Sequence, residues 1–329
     1  MKHLKLSTAA VAAVLSAGAV HAECGDVTLA AFSWQSAEVN AYVDQFILAN
    51  GYGCNASVVA GDTVPTMTSM IEKGQPDMVS SVAVSLLGDF YKAGVDEGRV
   101  TQIGLGISDG SVSGWYIPSY VAEAHPEIKT IEDAIAHPEL FAPGGEGTPG
   151  VVIQGPQGWG DTIVTAQLFK AFDAANKGWE MLPTGSGAAL DAEIAKNYEQ
   201  NVGFIATYWA PTSLIVQYPM VMLTGAHDDA EYARCTTVQD CPDPKVNYWQ
   251  PAVEATVASA PFLERMDPAV KEYLGKRTWS QAEVGKIMLW MTENQANGED
   301  GAKWFFENMP EVWTQWVPAD VAEKIKAAL

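Results

Sequence analysis

The alternation of apolar and polar positions divides the chain into short strands and amphipathic helices. Val27 to Phe32 predicts a strand, and Val39, Tyr42, Val43, Phe46 and Ile47 then recur at helical spacing over 37–50, with Gly51 as the expected stop. Ser57 to Ala60 predicts a second strand, Val64 to Lys73 a second helix, and Asp77 to Val84 a third strand, with a turn at Gly74-Gln75-Pro76-Asp77. Strand, helix, strand in this order specifies a parallel sheet with right-handed crossovers. The rhythm changes at Trp115 to Pro118, where a strand leads into a helix at Ser119 and then a long loop over 141–150. It resumes with strands at Val151 to Gln154, Trp179 to Leu182 and Val202 to Thr207, separated by helices over 161–173 and 187–198. Val253 to Ala258 predicts a strand that returns to the first group, and everything after Asp267 is helical. An α/β chain of two lobes, joined by two crossing segments and able to close over a ligand, is the expected architecture. The lobes divide as 23–113, 114–252 and 253–329, the last belonging to lobe one.

The strand at Val202 to Thr207 delivers Tyr208 and Trp209 to its carboxyl end and stops at Pro211. In open α/β sheets the crevice outside the carboxyl ends of the strands is where ligands sit, so Trp209 is either a ligand platform or a core residue. The same choice applies to the other tryptophans, eleven in all. Trp279, Trp290, Trp304, Trp313 and Trp316 have apolar neighbours at helical spacing and read as core or lobe surface, and Trp179 opens a strand. Trp34, Trp115, Trp159, Trp209 and Trp249 sit instead in loops or at strand ends. Aromatic faces that converge on a cleft make a cage for a methylated ammonium, which is drawn to the negative ring faces and donates no hydrogen bonds.

The amino terminus changes where the fold begins. Met-Lys-His-Leu-Lys, an alanine-rich apolar run over 8–20 and small residues at Val20 and Ala22 form a secretory signal peptide, with cleavage expected after Ala22. Glu23 stands where a lipoprotein signal needs a small residue, so Cys24 is not expected to carry a lipid. No later apolar run reaches the ~18 residues that span a bilayer, and a periplasmic monomer is expected. Without Lys2 and Lys5 the formal charge of -21 becomes -23, which argues against nucleic acid or an anionic lipid surface as partner. The four cysteines read as two disulfides of an oxidising compartment, Cys24 with Cys54 and Cys235 with Cys241.

Catalytic patterns are weak. Gly145-Glu146-Gly147-Thr148-Pro149-Gly150 satisfies a dinucleotide fingerprint, but Pro149 interrupts the helix that fingerprint must open. His125, His137 and His227 lie in polar or loop contexts, and no nucleophile elbow, zinc motif or unpaired cysteine accompanies them. No cofactor and no enzymatic activity are expected. The acids Asp228, Asp229, Glu231, Asp240 and Asp243 read as a solvated loop, with a calcium site as the alternative.

Four segments, in order, carry a resemblance: Phe32-Ser33-Trp34-Gln35-Ser36-Ala37-Glu38, Pro156-Gln157-Gly158-Trp159-Gly160, Gly185-Ser186-Gly187-Ala188-Ala189-Leu190, and Tyr208-Trp209-Ala210-Pro211. Over essentially the whole mature chain the sequence resembles the substrate-binding proteins of the glycine betaine, choline and proline betaine ABC transporters. The resemblance implies a type II periplasmic-binding-protein fold, an aromatic box around a trimethylammonium group, and delivery to a membrane permease, with Trp34, Trp159 and Trp209 at box positions. Two departures concern the ligand. A Trp and a His that some members supply after the third strand are absent from Val82-Ala83-Val84-Ser85-Leu86-Leu87-Gly88, and Trp34-Gln35-Ser36 lacks the acid of the choline type. Trp115 or Trp249 is then expected to complete the box, Tyr208 to adjoin it, and the amide of Gly160 at a helix start to meet an anionic end. Trimethylamine N-oxide and dimethylsulfoniopropionate are alternative ligands, and a sensor-coupled receptor is an alternative role.

Overall fold

The computed structural model describes residues 24–210 and 212–329; the expected signal peptide at 1–22 and Pro211 lie outside the described residues. Nine strands form the sheet: β1 (Asp26–Phe32), β2 (Asn55–Gly61), β3 (Met78–Ala83), β4 (Val100–Pro118), β5 (Gly150–Gln154), β6 (Trp179–Pro183), β7 (Ile205–Ala210), β8 (Met220–Met222) and β9 (Ala252–Ser259). Their order is β2-β1-β3-β9-β4-β7-β5-β6, with β8 beside β4. β1 runs parallel to β2 and β3, and β5 runs parallel to β6 and β7, as the strand-helix-strand rhythm predicts. The sheet is nonetheless mixed, because β9 lies antiparallel to β3 and β4, and β4 lies antiparallel to β7.

The connection between the two groups of strands is built into β4. Val100 to Ser111 pairs with β9 in the first group of strands, and Val112 to Tyr116 pairs with β7 in the second. A single strand of 19 residues thus passes from one lobe to the other. The apolar pattern showed only its last four residues because Gly104, Gly106, Ser108, Asp109 and Gly110 break the alternation on which a strand reading depends. Pairing with β4 also shifts β7 later than expected. It spans Ile205–Ala210, so Tyr208 and Trp209 are ladder residues opposite Gly114 and Ser113 instead of lying beyond the strand.

Each lobe has its own core. The helix Gln35–Tyr52 turns Val39, Val43 and Ile47 onto the carboxyl-terminal helices, where Trp279, Trp313 and Trp316 are buried. Trp290 and Trp304 stack on each other at 5.5 Å against the outside of that core. The helix runs past Gly51 to a left-handed Gly53 at φ 73°, whose N–H returns to Ala49; glycine tolerates this conformation without a Cβ clash. At its centre Asp44 forms a fully buried ion pair with Arg277 at 2.6 Å. Arg277 also donates to Asn40 and to the carbonyls of Ser80 and Gly106, so one guanidinium ties helix, β3 and β4 together. The two expected disulfides are present, Cys24–Cys54 joining the starts of β1 and β2, and Cys235–Cys241 closing a short loop. Among the described residues no helix is long and apolar enough to cross a membrane.

Candidate functional site

Trp34 and Trp159 occupy equivalent places in the two lobes. Each follows a strand with parallel neighbours, β1 or β5, and stands, with extended backbone, as the residue before a helix, Gln35–Tyr52 or Gly160–Ala171. Neither side chain caps its helix, which leaves both rings free to turn toward the other lobe. Trp209 is supplied by β7, opposite Ser113.

The three rings meet in the interlobe cleft, with Trp159 buried and Trp34 and Trp209 partly exposed. Trp34 and Trp159 have centroids 5.1 Å apart and planes at 74°. Trp34 and Trp209 stand at 6.4 Å and 69°, and Trp159 and Trp209 at 5.5 Å and 76°. Each plane is close to perpendicular to the other two, as are three walls at the corner of a box. The walls are braced from behind: Phe32 lies 5.0 Å from Trp34, Tyr208 stacks on Trp209 at 4.6 Å, and the Trp159 Nε1–H donates to Asp62 Oδ1 at 3.1 Å. Behind the rings a cleft of about 610 Å³, mouth included, continues past Ser36, Thr63, Leu86, Ile107 and Met288.

Two carboxylates face this cleft. Asp161, in the first turn of its helix, accepts from Trp249 Nε1 at 3.1 Å and from the Ser113 hydroxyl. Burial raises its pKa to about 7 against these lowering bonds, and the charge of Glu254 adds to the rise. Glu254 on β9 accepts from Ser111 Oγ at 2.7 Å and from Ser81 Oγ at 2.9 Å, and burial raises its pKa as well. An outer hollow on the other side of Trp34 and Trp209 carries two more acids, Glu38 and Asp191. Asp191 accepts from Tyr208 Oη at 2.8 Å and is raised to about 6 by burial. No Lys, Arg or His lines either space among the described residues.

Several expected site residues lie elsewhere. Trp115 is not a wall of the cleft. Two residues beyond Ser113, about 7 Å along the strand, it passes beneath the helix Gly160–Ala171 into the lobe-two core, between Phe172 and Trp249, and donates to Thr165. Trp249 packs in the same core and reaches the site only through its bond to Asp161. Tyr208 lines the outer hollow, where its ring supports Trp209. Gly160 does line the cleft. Glu146 lies on a separate surface hollow with Pro138 and Thr148, away from the rings. In the 228–243 loop, Asp228 caps a short helix and Glu231 pairs with Arg234. Among the described residues no three His, Cys, Asp or Glu gather as metal ligands.

Asp62, Asp161 and Glu254 were not singled out from sequence. Glu254 left a signal, since it is the one charged residue in the run Ala252 to Ala258, whose other members are Ala, Val and Thr. Asp161 did not, because an acid in a first helical turn is ordinary dipole compensation.

The lobes are in contact across the cleft. Val64 N–H donates to the Gly158 carbonyl at 3.0 Å, and the hydroxyls of Ser213 and Thr292 are 2.9 Å apart. Glycine permits this approach: a Cβ on Gly187 would stand 2.6 Å from the Ser33 carbonyl oxygen, and one on Gly160 would stand 2.7 Å from the Leu86 Cβ.

Two α/β lobes sharing a crossing strand, with an aromatic-lined cleft between them, define the two-lobe periplasmic-binding-protein fold. The family model for the substrate-binding domain of ABC-type glycine betaine transport systems matches residues 25–308, and the chain belongs to that family. It is therefore a transporter's substrate-binding protein and not an enzyme. Among solved structures, the chain resembles the glycine betaine, L-proline-binding protein ProX of Borrelia burgdorferi. That match has a TM-score of 0.70 and 19% identity, covering 91% of this chain and 99% of that one. It also resembles an ABC-transporter choline-binding protein in complex with choline, with a TM-score of 0.69 and 19% identity, covering 93% and 98%. Lactococcal OpuAC, closed around glycine betaine, matches with a TM-score of 0.66 and 18% identity, covering 89% and 99%.

Proposed function

We propose that this chain captures a quaternary ammonium or related methylated osmolyte in the periplasm, as a monomer, and hands it to the permease of an ABC importer after removal of residues 1–22. The observation that carries the reading is the corner formed by Trp34, Trp159 and Trp209. When the normals of three mutually perpendicular faces meet at one point, that point stands from each face at the centroid separation divided by √2. For the separations of 5.1, 5.5 and 6.4 Å this is about 4 Å, inside the ~6 Å over which a cation is attracted to a ring face. A desolvated cation gains roughly 2 kcal/mol per ring, hence roughly 6 from three. Micromolar binding needs about 8 kcal/mol net. Burial of the methyl groups and lobe closure supply the difference. Two carboxylates in the cleft, two more in the outer hollow, and no basic group lining either among the described residues give the site the sign that a cation requires.

Calorimetric titration with glycine betaine, choline, carnitine, dimethylsulfoniopropionate and trimethylamine N-oxide tests the reading. At least one should bind at micromolar concentration with negative ΔCp; failure of all of them below about millimolar would refute it.

A further inference from the structure

We infer that Asp161 and Glu254 set the specificity of the cleft: they select a methylated ammonium whose other end carries a single oxygen and no carboxylate. The inference rests on the aromatic corner holding the ammonium, as proposed above.

The two acids approach from different lobes, Asp161 on the helix Gly160–Ala171 and Glu254 on β9, and both line the cleft behind the rings. The neighbouring donors are already turned toward them. Ser81 and Ser111 donate to Glu254, and Ser113 and Trp249 donate to Asp161. These four groups are therefore not free to receive a ligand carboxylate. What remains positive is three helix starts that open on the cleft, at Gly160, Ser36 and Thr63, each no more than about half an elementary charge. Against them stand two carboxylates, and besides Glu254 the titratable side chains that feel the charge of Asp161 are Tyr116 from β4 and Tyr232 from the segment that packs on the same helix, neither of them a cation. A betaine would bring a third carboxylate into this space, and like charges that share a site cannot all ionise.

A single oxygen fits where a carboxylate does not. A hydroxyl donates to an ionised carboxylate, and an N-oxide oxygen accepts from a protonated one. Burial raises the Asp161 carboxyl to about 7, so this group exchanges its proton near neutral pH. The two single-oxygen chemistries then differ in the sign of their pH dependence. Binding of an oxide needs the proton, and its affinity falls as pH rises through about 7. A hydroxylated cation gains as the pair ionises, and its affinity rises over the same interval before levelling.

The test is titration of the full chain, and of Asp161→Asn and Glu254→Gln, with choline, trimethylamine N-oxide and glycine betaine at about pH 6 and about pH 8. The wild type should bind choline or the N-oxide at least about tenfold tighter than glycine betaine, and each variant should move that ratio about tenfold toward betaine. The direction of the pH effect on the tighter ligand tells a hydroxyl from an oxide. Tighter binding of glycine betaine by the wild type, or a ratio unmoved in both variants, would overturn the inference while leaving the aromatic corner intact. If Trp209→Ala leaves every affinity unchanged, or no ligand binds, the underlying reading fails as well.

Discussion

Trp209→Ala removes one wall of the corner and leaves the other two in place. Trp209 is half-exposed at the cleft, 6.4 Å from Trp34 and 5.5 Å from Trp159. A cation about 4 Å above its face gains roughly 2 kcal/mol when desolvated. The methyl surface that it covers, on the order of 40 Å², adds about 1 kcal/mol at 25 cal/mol per Å². Losing both costs about 3 kcal/mol, or about two orders of magnitude in Kd. Folding stability should suffer less than in a core truncation, because the ring is partly open and its main buried contact is the face of Tyr208. Calorimetric titration and a thermal melt of the same sample separate the two effects, and Trp115→Phe is the control. Trp115 is fully buried in the lobe-two core, so its variant should lower the melting temperature and leave Kd within about threefold. An affinity unchanged in a folded Trp209→Ala protein would refute the reasoning and return Trp209 to a packing role.

Three further outcomes follow from the geometry. Gly187→Ala places a Cβ 2.6 Å from the Ser33 carbonyl when the lobes close, so affinity should fall at least about tenfold while the ligand-free melting temperature holds, since alanine suits a helix better than glycine; unchanged affinity in calorimetry would show that closure does not need this contact. Arg277→Met strands the fully buried Asp44, and denaturant unfolding should reveal a loss of about 3–5 kcal/mol; a loss under about 1 kcal/mol would contradict a tight pair. Burial holds the Asp161 carboxyl at about 7 in the folded protein against 3.8 as the reference, so the native state keeps a proton that the unfolded chain has released. The stability of the ligand-free protein should therefore fall as pH rises from about 4 to about 7, with the raised carboxyls of Asp191 and Glu254 adding to the slope, and Asp161→Asn should reduce it in pH-dependent melts. A wild-type slope retained in the variant would place the titration elsewhere.

The parallel halves of the sheet were legible because β1, β2, β3, β5 and β6 are short apolar runs between helices of clear period. The long crossing strand was not, since its glycines and Asp109 hide the alternation and its register is set by β9 and β7, which are distant in sequence. The same cause shifted β7, whose end depends on Ser113 and Gly114 as partners. Trp34, Trp159 and Trp209 were separable from the carboxyl-terminal tryptophans because strand-end and loop positions differ from helical spacing. That rule also admitted Trp115 and Trp249, because a strand position says which face a ring takes and not how far along the strand the core begins. The carboxylates were the least legible part. Their environment is made by Ser81, Ser111, Ser113 and Trp249, brought together only by the crossing strands.

The central claim is that positive charge, and not shape alone, is what the three rings hold. It is tested most directly by calorimetric comparison of each ligand with its neutral carbon isostere: choline against the alcohol in which a tert-butyl group replaces the trimethylammonium, and trimethylamine N-oxide against tert-butanol. The account predicts that the ammonium member of the pair binds at least about a hundredfold tighter, the share of roughly 3 kcal/mol or more that depends on charge over the ring faces. Equal affinity for the two members of each pair would contradict it.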